Sequence, residues 1–131
     1  GAPAYFQAHG RPTHPARLAD HACLGYAYLP NPETWRFSNR AGEEVSVRAA
    51  GPLCANNGDA LVAAALAGVG VAVLPDFVVD DLIAEGRLEA ILSDWTPPVG
   101  GLHLVQPPGG PRPARVEALA AFLVRALSRR A

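Results

Sequence analysis

A chain of 131 residues that is 50% apolar, with a formal charge of −1 and a pI near 6.5, can build one sizeable core but is short for two complete domains. So even a charge balance offers no general attraction for phosphate backbones, which argues against non-specific DNA or RNA binding by this stretch itself. The apolar runs fall well short of the roughly 20 residues that cross a bilayer. The opening GAPAYFQAHGRP lacks a basic-then-apolar leader pattern, so a soluble chain without membrane partners is expected.

In chain order, Pro3 suits a first helical turn and Gly10 a stop, predicting a short helix around Ala4 to His9. Pro15 opens a second helical turn anchored by Leu18, and Cys23 to Leu29 read as a strand ended by Pro30. Trp35 and Phe37 share one face of the next strand, NRAGEE reverses the chain, and Val45 and Val47 share a face of the returning strand. Antiparallel pairing follows.

The stretch LCANNGDALVAAALAGVGVAVLP, Leu53 to Pro75, differs in kind. Leu61, Val62, Ala65 and Leu66 fall at helical spacing, while Gly68 and Gly70 end that helix and release the chain into a strand, Val71 to Leu74. Strand, helix, strand through so short a connection favours a parallel pair with a right-handed crossover. DFVVDDLIAEG predicts a second helix that offers Phe77, Leu82 and Ile83 as apolar surface and closes at Gly86. RLEAIL reads as a further extended run, LHLVQPP as a further strand, and the Pro/Gly-rich Pro107 to Pro113 as a loop. Val116, Leu119, Leu123 and Leu127 then mark one stripe of a terminal helix, with Phe122 and Ala126 beside it. Alternating strands and helices predict an α/β fold with a mixed sheet flanked by helices.

Most chemistries find no purchase. GVGVA at Gly68 lacks the third glycine of a dinucleotide loop and follows a helix instead of opening one, and with no lysine in the chain there is no phosphate loop. His9, His14, His21 and Cys23 match no zinc spacing, so no metal ligands and no cofactor are expected. The serines lack a nucleophile elbow, and Glu43–Glu44 and Asp80–Asp81 suit turns and helix starts, so no catalytic residue is assigned and no enzyme is expected. Cys23 and Cys54 lie in apolar runs and read as free core thiols. Arg125, Arg129 and Arg130 complement a helix C-terminus, and Trp35 and Trp95 read as packing residues.

Asn56, Asn57, Gly58 and Asp59 stand where a strand ends and a helix begins, the position at which open α/β sheets collect ligands. Capping explains one amide, and a second leaves a spare donor for a small molecule.

At ANNGDALVAAALAGVGVAVLPDFVVDDLIAEGRLEAIL the sequence resembles the effector-binding region of LysR-type bacterial transcriptional regulators. The likeness lies in an asparagine-led turn, an alanine-rich helix, a G-x-G-[IV]-A strand ending in Leu-Pro, and a helix closing on Gly-Arg-Leu. PAYFQAHGRPTHPARLADHACLGY, WRFSNRAGEEVSV and VEALAAFLVRAL continue the likeness over essentially the whole chain.

The resemblance implies a periplasmic-binding-protein-like fold of type 2 with a small-molecule effector held between two lobes. It places the second lobe in residues 1–99, the return into the first lobe in residues 100–131, and the winged helix-turn-helix that meets promoter DNA outside this chain. By similarity, Asn56, Asn57 and Gly58 line the effector cleft, with Pro75, Phe77 and Tyr26 as further candidates. It also implies a cytoplasmic homodimer or homotetramer for the whole regulator. Asn57 stands where an aspartate is frequent, which suggests an anionic effector. A transport-type solute-binding protein shares the architecture and is the alternative.

Overall fold

A computed structural model describes residues 1–29, 31–97, 103–106 and 113–128. The chain divides into two compact units, Gly1–Gly100 and Gly101–Ala131.

In the first unit, helix α1 (Pro3–His9) begins on proline and stops at Gly10, whose φ of +81° suits glycine. It buries Tyr5 and Phe6. A 3-10 turn at Pro15–Asp20 follows, with the His14 ring accepting the Ala16 N–H at 3.2 Å and Leu18 pressed into the core. Strand β1 (Cys23–Tyr26) is the centre of a parallel sheet whose flanks are β4 (Cys54–Ala55) and β5 (Val71–Ala72). The expected strand–helix–strand unit therefore has parallel strands that do not touch, because β1 lies between them.

Two glycines account for that insertion. A Cβ at Gly70 would overlap the Ala22 carbonyl, and one at Gly51 the backbone of Cys23. The chain can press against both edges of β1 only where no side chain intervenes. With Cys23, Leu24 and Gly25 all buried, β1 has the apolar character of a strand covered on both faces.

The second sheet is antiparallel. Strands β2 (Thr34–Asn39) and β3 (Glu44–Arg48) pair Trp35 with Val47 and Phe37 with Val45, and β6 (Trp95–Thr96) joins the other edge of β2. The Asn39 carboxamide oxygen closes the hairpin by accepting the N–H groups of Ala41 and Glu43, both at 3.0 Å. Both kinds of pairing are thus present, divided between two three-stranded sheets.

Helix α2 (Gly58–Leu66) buries Leu61 and Ala65, and helix α3 (Asp76–Ala84) lies more openly, with Leu82 and Ile83 half-buried. Neighbouring residues of β1 serve different cores, as a strand's period of two requires. Cys23 joins a cluster with Phe6, Leu18, Trp35, Phe37 and Val71, whereas Leu24 joins Leu61, Ala65 and Leu88.

Several expectations are corrected. The extended run expected at RLEAIL is not a strand: Leu88 is buried, Leu92 has a left-handed φ of +58°, and among the described residues no ladder partner takes up this run. Residues 103–106 form no strand either, and the rest of LHLVQPP lies outside the described residues. The strand expected at Val71 to Leu74 stops at Ala72, that at Cys23 to Leu29 stops at Tyr26, and Pro30 is not described. Phe77 is half-exposed and covers no core. Cys54 is free but exposed, unlike the buried Cys23, because the two-residue strand β4 is a sheet edge.

In the second unit, helix α4 (Ala114–Ser128) follows the expected period. Val116, Leu119, Phe122 and Leu127 on it are exposed, and Leu123 is half-buried. Arg129, Arg130 and the Pro/Gly-rich run up to Arg112 lie outside the described residues.

Candidate functional site

All three strands of the parallel sheet run the same way, so their carboxyl ends share one edge. That edge carries Tyr26 at the end of β1 and Asn56, Asn57 and Gly58 just after β4. The Asn57 side-chain oxygen caps α2 by accepting the Asp59 N–H at 2.7 Å, which satisfies one of the helix's unpaired donors. Asn56 does something else: its amide nitrogen donates to the Tyr28 hydroxyl at 3.3 Å, and the Tyr28 ring meets Tyr26 edge-on at 5.9 Å. One amide is structural, and the other belongs to an exposed group of polar and aromatic side chains.

Gly58 is the first helical residue, and a Cβ there would meet nothing within 4 Å. Its value is open space, since its backbone needs no left-handed conformation. Pro75 is the N-cap of α3 and has no side chain able to accept from the helix's first turn, a part taken by Asp76, whose carboxylate accepts the Phe77 N–H at 2.7 Å. Tyr26, Tyr28, Asn56 and Asn57 are therefore drawn together by contact and by chain adjacency. Pro75 and Phe77 share the edge by topology alone.

Other titratable groups have structural employment. The Tyr5 hydroxyl accepts the Ala22 N–H at 2.9 Å and meets His21 Nδ1 at 3.2 Å, while the His9 ring stacks on Tyr5 at 4.3 Å. Burial pushes the Cys23 thiol up to about 11, so it stays protonated and unreactive near neutral pH. Among the described residues, no group of three or more His, Cys, Asp or Glu could hold a metal ion, and no helix is long and apolar enough to cross a membrane.

A cavity of about 380 Å³ lies elsewhere in the first unit, between β5, α3 and the run from Leu88 to Pro97. None of Tyr26, Asn56, Asn57, Gly58, Pro75 or Phe77 lines it. The six residues singled out from sequence thus stand outside its lining, with Pro75 between two lining residues, Leu74 and Asp76.

Residues 1–128 match the family model described as the LysR substrate binding domain. The chain belongs to the LysR substrate-binding domain family. Its relatives of this family include the HTH-type transcriptional regulator PtxR of Pseudomonas aeruginosa, 39% identical over 115 residues that make up 88% of this chain and 36% of PtxR. The HTH-type transcriptional regulator PgrR of Escherichia coli is 39% identical over 110 residues, 82% of this chain and 36% of PgrR. The chain spans about a third of the length of such relatives.

Among solved structures, the regulatory domain of AphB from Vibrio vulnificus superposes with a TM-score of 0.66 at 34% identity, covering 74% of this chain and 48% of that one. The CrgA regulatory domain of Neisseria meningitidis gives 0.60 at 31% identity, covering 74% and 50%. The chain has the α/β fold of LysR-type regulatory domains, of which it spans about half, and its curated relatives are transcriptional regulators.

Within this LysR-family domain, sequence reasoning passed over Tyr28. The strand stops at Tyr26 and Tyr28 lies in the turn that follows, so strand alternation in GYAYLP gave no signal for their contact. The residues of the apolar cavity were legible only as core, because an interior void leaves no mark on periodicity.

Proposed function

We propose that this chain is the second lobe of a LysR-type regulator's effector domain together with a return into the first, dividing near residues 99 and 100. The exposed group at the sheet's carboxyl edge is its half of the effector cleft. Asn56, Asn57, Gly58 and Tyr26 form the floor, with Pro75 and Phe77 alongside. The observation that carries this reading is the division of labour between the amides: Asn57 is consumed as a cap, whereas Asn56 and Tyr28 remain exposed beside the start of α2, with half-buried Tyr26 beneath Tyr28. The first lobe lies largely outside this chain and would supply the facing wall.

The effector is a small anion, such as a carboxylate. A helix N-terminus carries partial positive charge and unpaired N–H groups, and neutral Asn57 leaves that field intact where an aspartate would oppose it. Binding between lobes would shift their arrangement, and through it that of winged helix-turn-helix domains on promoter DNA in a cytoplasmic homodimer or homotetramer. The exposed apolar side of α4 supports a missing first lobe, since Val116, Leu119 and Phe122 are the residues such a lobe would cover.

Calorimetry with small carboxylates and amines on the full-length regulator tests this. Asn57→Asp keeps the cap but adds charge, and is expected to weaken carboxylate binding about tenfold at little cost in stability. Asn57→Leu removes both cap and amide and should weaken it as well. Binding confined to neutral or cationic compounds, or carboxylate affinity untouched by both substitutions, would sink the reading.

A further inference from the structure

The cavity beneath the run from Leu88 to Pro97 has no part in the proposed effector cleft. At about 380 Å³ it exceeds a packing defect and falls within the roughly 300–1,000 Å³ typical of small-molecule sites. Its walls are apolar and partly aromatic, including Trp35, Phe37, Val73, Val79, Ile91 and Trp95. An apolar, partly aromatic hollow of this kind takes up compact apolar molecules.

Among the described residues, the charged side chains that line it are all acidic: Asp76, Asp80 and Glu89. Two of these carboxylates are engaged: Asp76 accepts the Phe77 N–H, and Glu89 holds the Arg11 guanidinium through both oxygens. The Gly1 amino group, also at the cavity, donates to the Glu89 carbonyl at 3.1 Å. Asp80 is exposed on α3.

The covering segment bears a second mark. Leu92 lines the cavity with a φ of +58°, a left-handed conformation that a γ-branched side chain rarely adopts. Backbone strain in non-glycine residues gathers at ligand clamps and switch segments. Leu88 anchors one end of the segment in the core, and β6 pins the other to β2. Between them the chain bridges the void without a ladder of its own.

We propose that this cavity is a second ligand site, for a compact apolar amine whose hydrophobic body lies against Trp35 and Trp95 and whose ammonium group points to Asp80. Its occupant differs in charge from the anion proposed for the effector cleft, so the two sites can be addressed separately. Occupation fills the void and braces the segment from Leu88 to Trp95 against the sheets.

The chain supplies its own reporter, since its two tryptophans both line the cavity. Benzylamine, toluene and benzoate are titrated into the protein while tryptophan emission is followed. Benzylamine and toluene should give saturable changes, and benzoate none. Val79→Phe fills the cavity from α3 and Ala90→Leu from the covering segment, and each should weaken both ligands about tenfold. Asp80→Asn, on the surface, should weaken benzylamine about threefold and leave toluene unaltered. No saturable change in tryptophan emission with either compound, wild-type affinity in either folded filling variant, or a benzoate response as tight as that of benzylamine and persisting in Asn57→Leu would overturn the proposal.

Discussion

At Gly70 a hydrogen atom decides where a strand can lie. A methyl group there would collide with the Ala22 carbonyl, next to the pairing of Val71 with Cys23. Gly70→Ala should therefore destabilise the fold by about 1–3 kcal/mol, read as a lower denaturant midpoint. The two thiols make a separate prediction. Exposed Cys54 should react with a thiol reagent at pH 8 in the native protein, and Cys23 only after unfolding. Burial holds the native Cys23 pKa near 11, above its ordinary value of 9.0. Its thiol binds a proton in the folded state that the unfolded chain has lost, so this contribution is complete below pH 9 and disappears as pH rises towards 11. Denaturant midpoints measured between pH 8 and 11 should fall, and Cys23→Ala should reduce the slope of that fall.

Among the elements, α2 shows how a modest periodic signal becomes a committed helix. Its cap is Asn57, it ends at Gly68 with φ of +72°, and its inward face is Leu61 and Ala65, with Leu61 wholly buried. Leu61→Ala should cost about 2–5 kcal/mol by leaving a hole between α2, Leu24 and Leu88. Asn57→Ala should cost about 1 kcal/mol through the lost cap alone, which thermal unfolding would register as a smaller drop. Helix α3 is the contrast. It has no fully buried residue, so polar substitutions along it should be tolerated better than at Leu61 or Ala65 of α2. The hairpin β2–β3 was legible because Trp35, Phe37, Val45 and Val47 alternate, and the Asn39 turn closes it as its residue types foretell. Leu88 to Leu92 looked like a strand because a short apolar run reads alike whether it pairs or merely plugs a core.

For the molecule as a whole, one long-range clasp joins the beginning of the chain to the covering segment. Arg11 donates to both carboxylate oxygens of Glu89, 78 residues away, which lowers the Glu89 pKa below the ordinary carboxylate value. Because the folded value is depressed, the stabilisation is present above the unfolded pKa and fades as pH falls through the folded one. The pair is partly exposed, so its effect should be small and screened by salt. Glu89→Gln should flatten the acid limb of the stability profile without altering the fold. The apolar residues of α4 carry the other prediction at this scale. With Val116, Leu119, Phe122 and Leu127 exposed, the 131-residue chain should self-associate at high concentration, and Leu119→Glu with Phe122→Glu should suppress this in sedimentation.

Residue order by itself determined the helices, the hairpin, the amide-led start of α2 and the family, because capping, alternation and helical period act over a few neighbouring positions. The candidate edge was legible as Asn56, Asn57 and Gly58 for the same reason, although Tyr28's partnership with Asn56 spans 28 positions and was not. Only tertiary structure decided that β1 separates β4 from β5, that parallel and antiparallel strands occupy separate sheets, and that a void lies beneath Leu92. Those outcomes depend on which distant backbones can approach and which volumes remain unfilled, and neither is written in the periodicity of a local stretch.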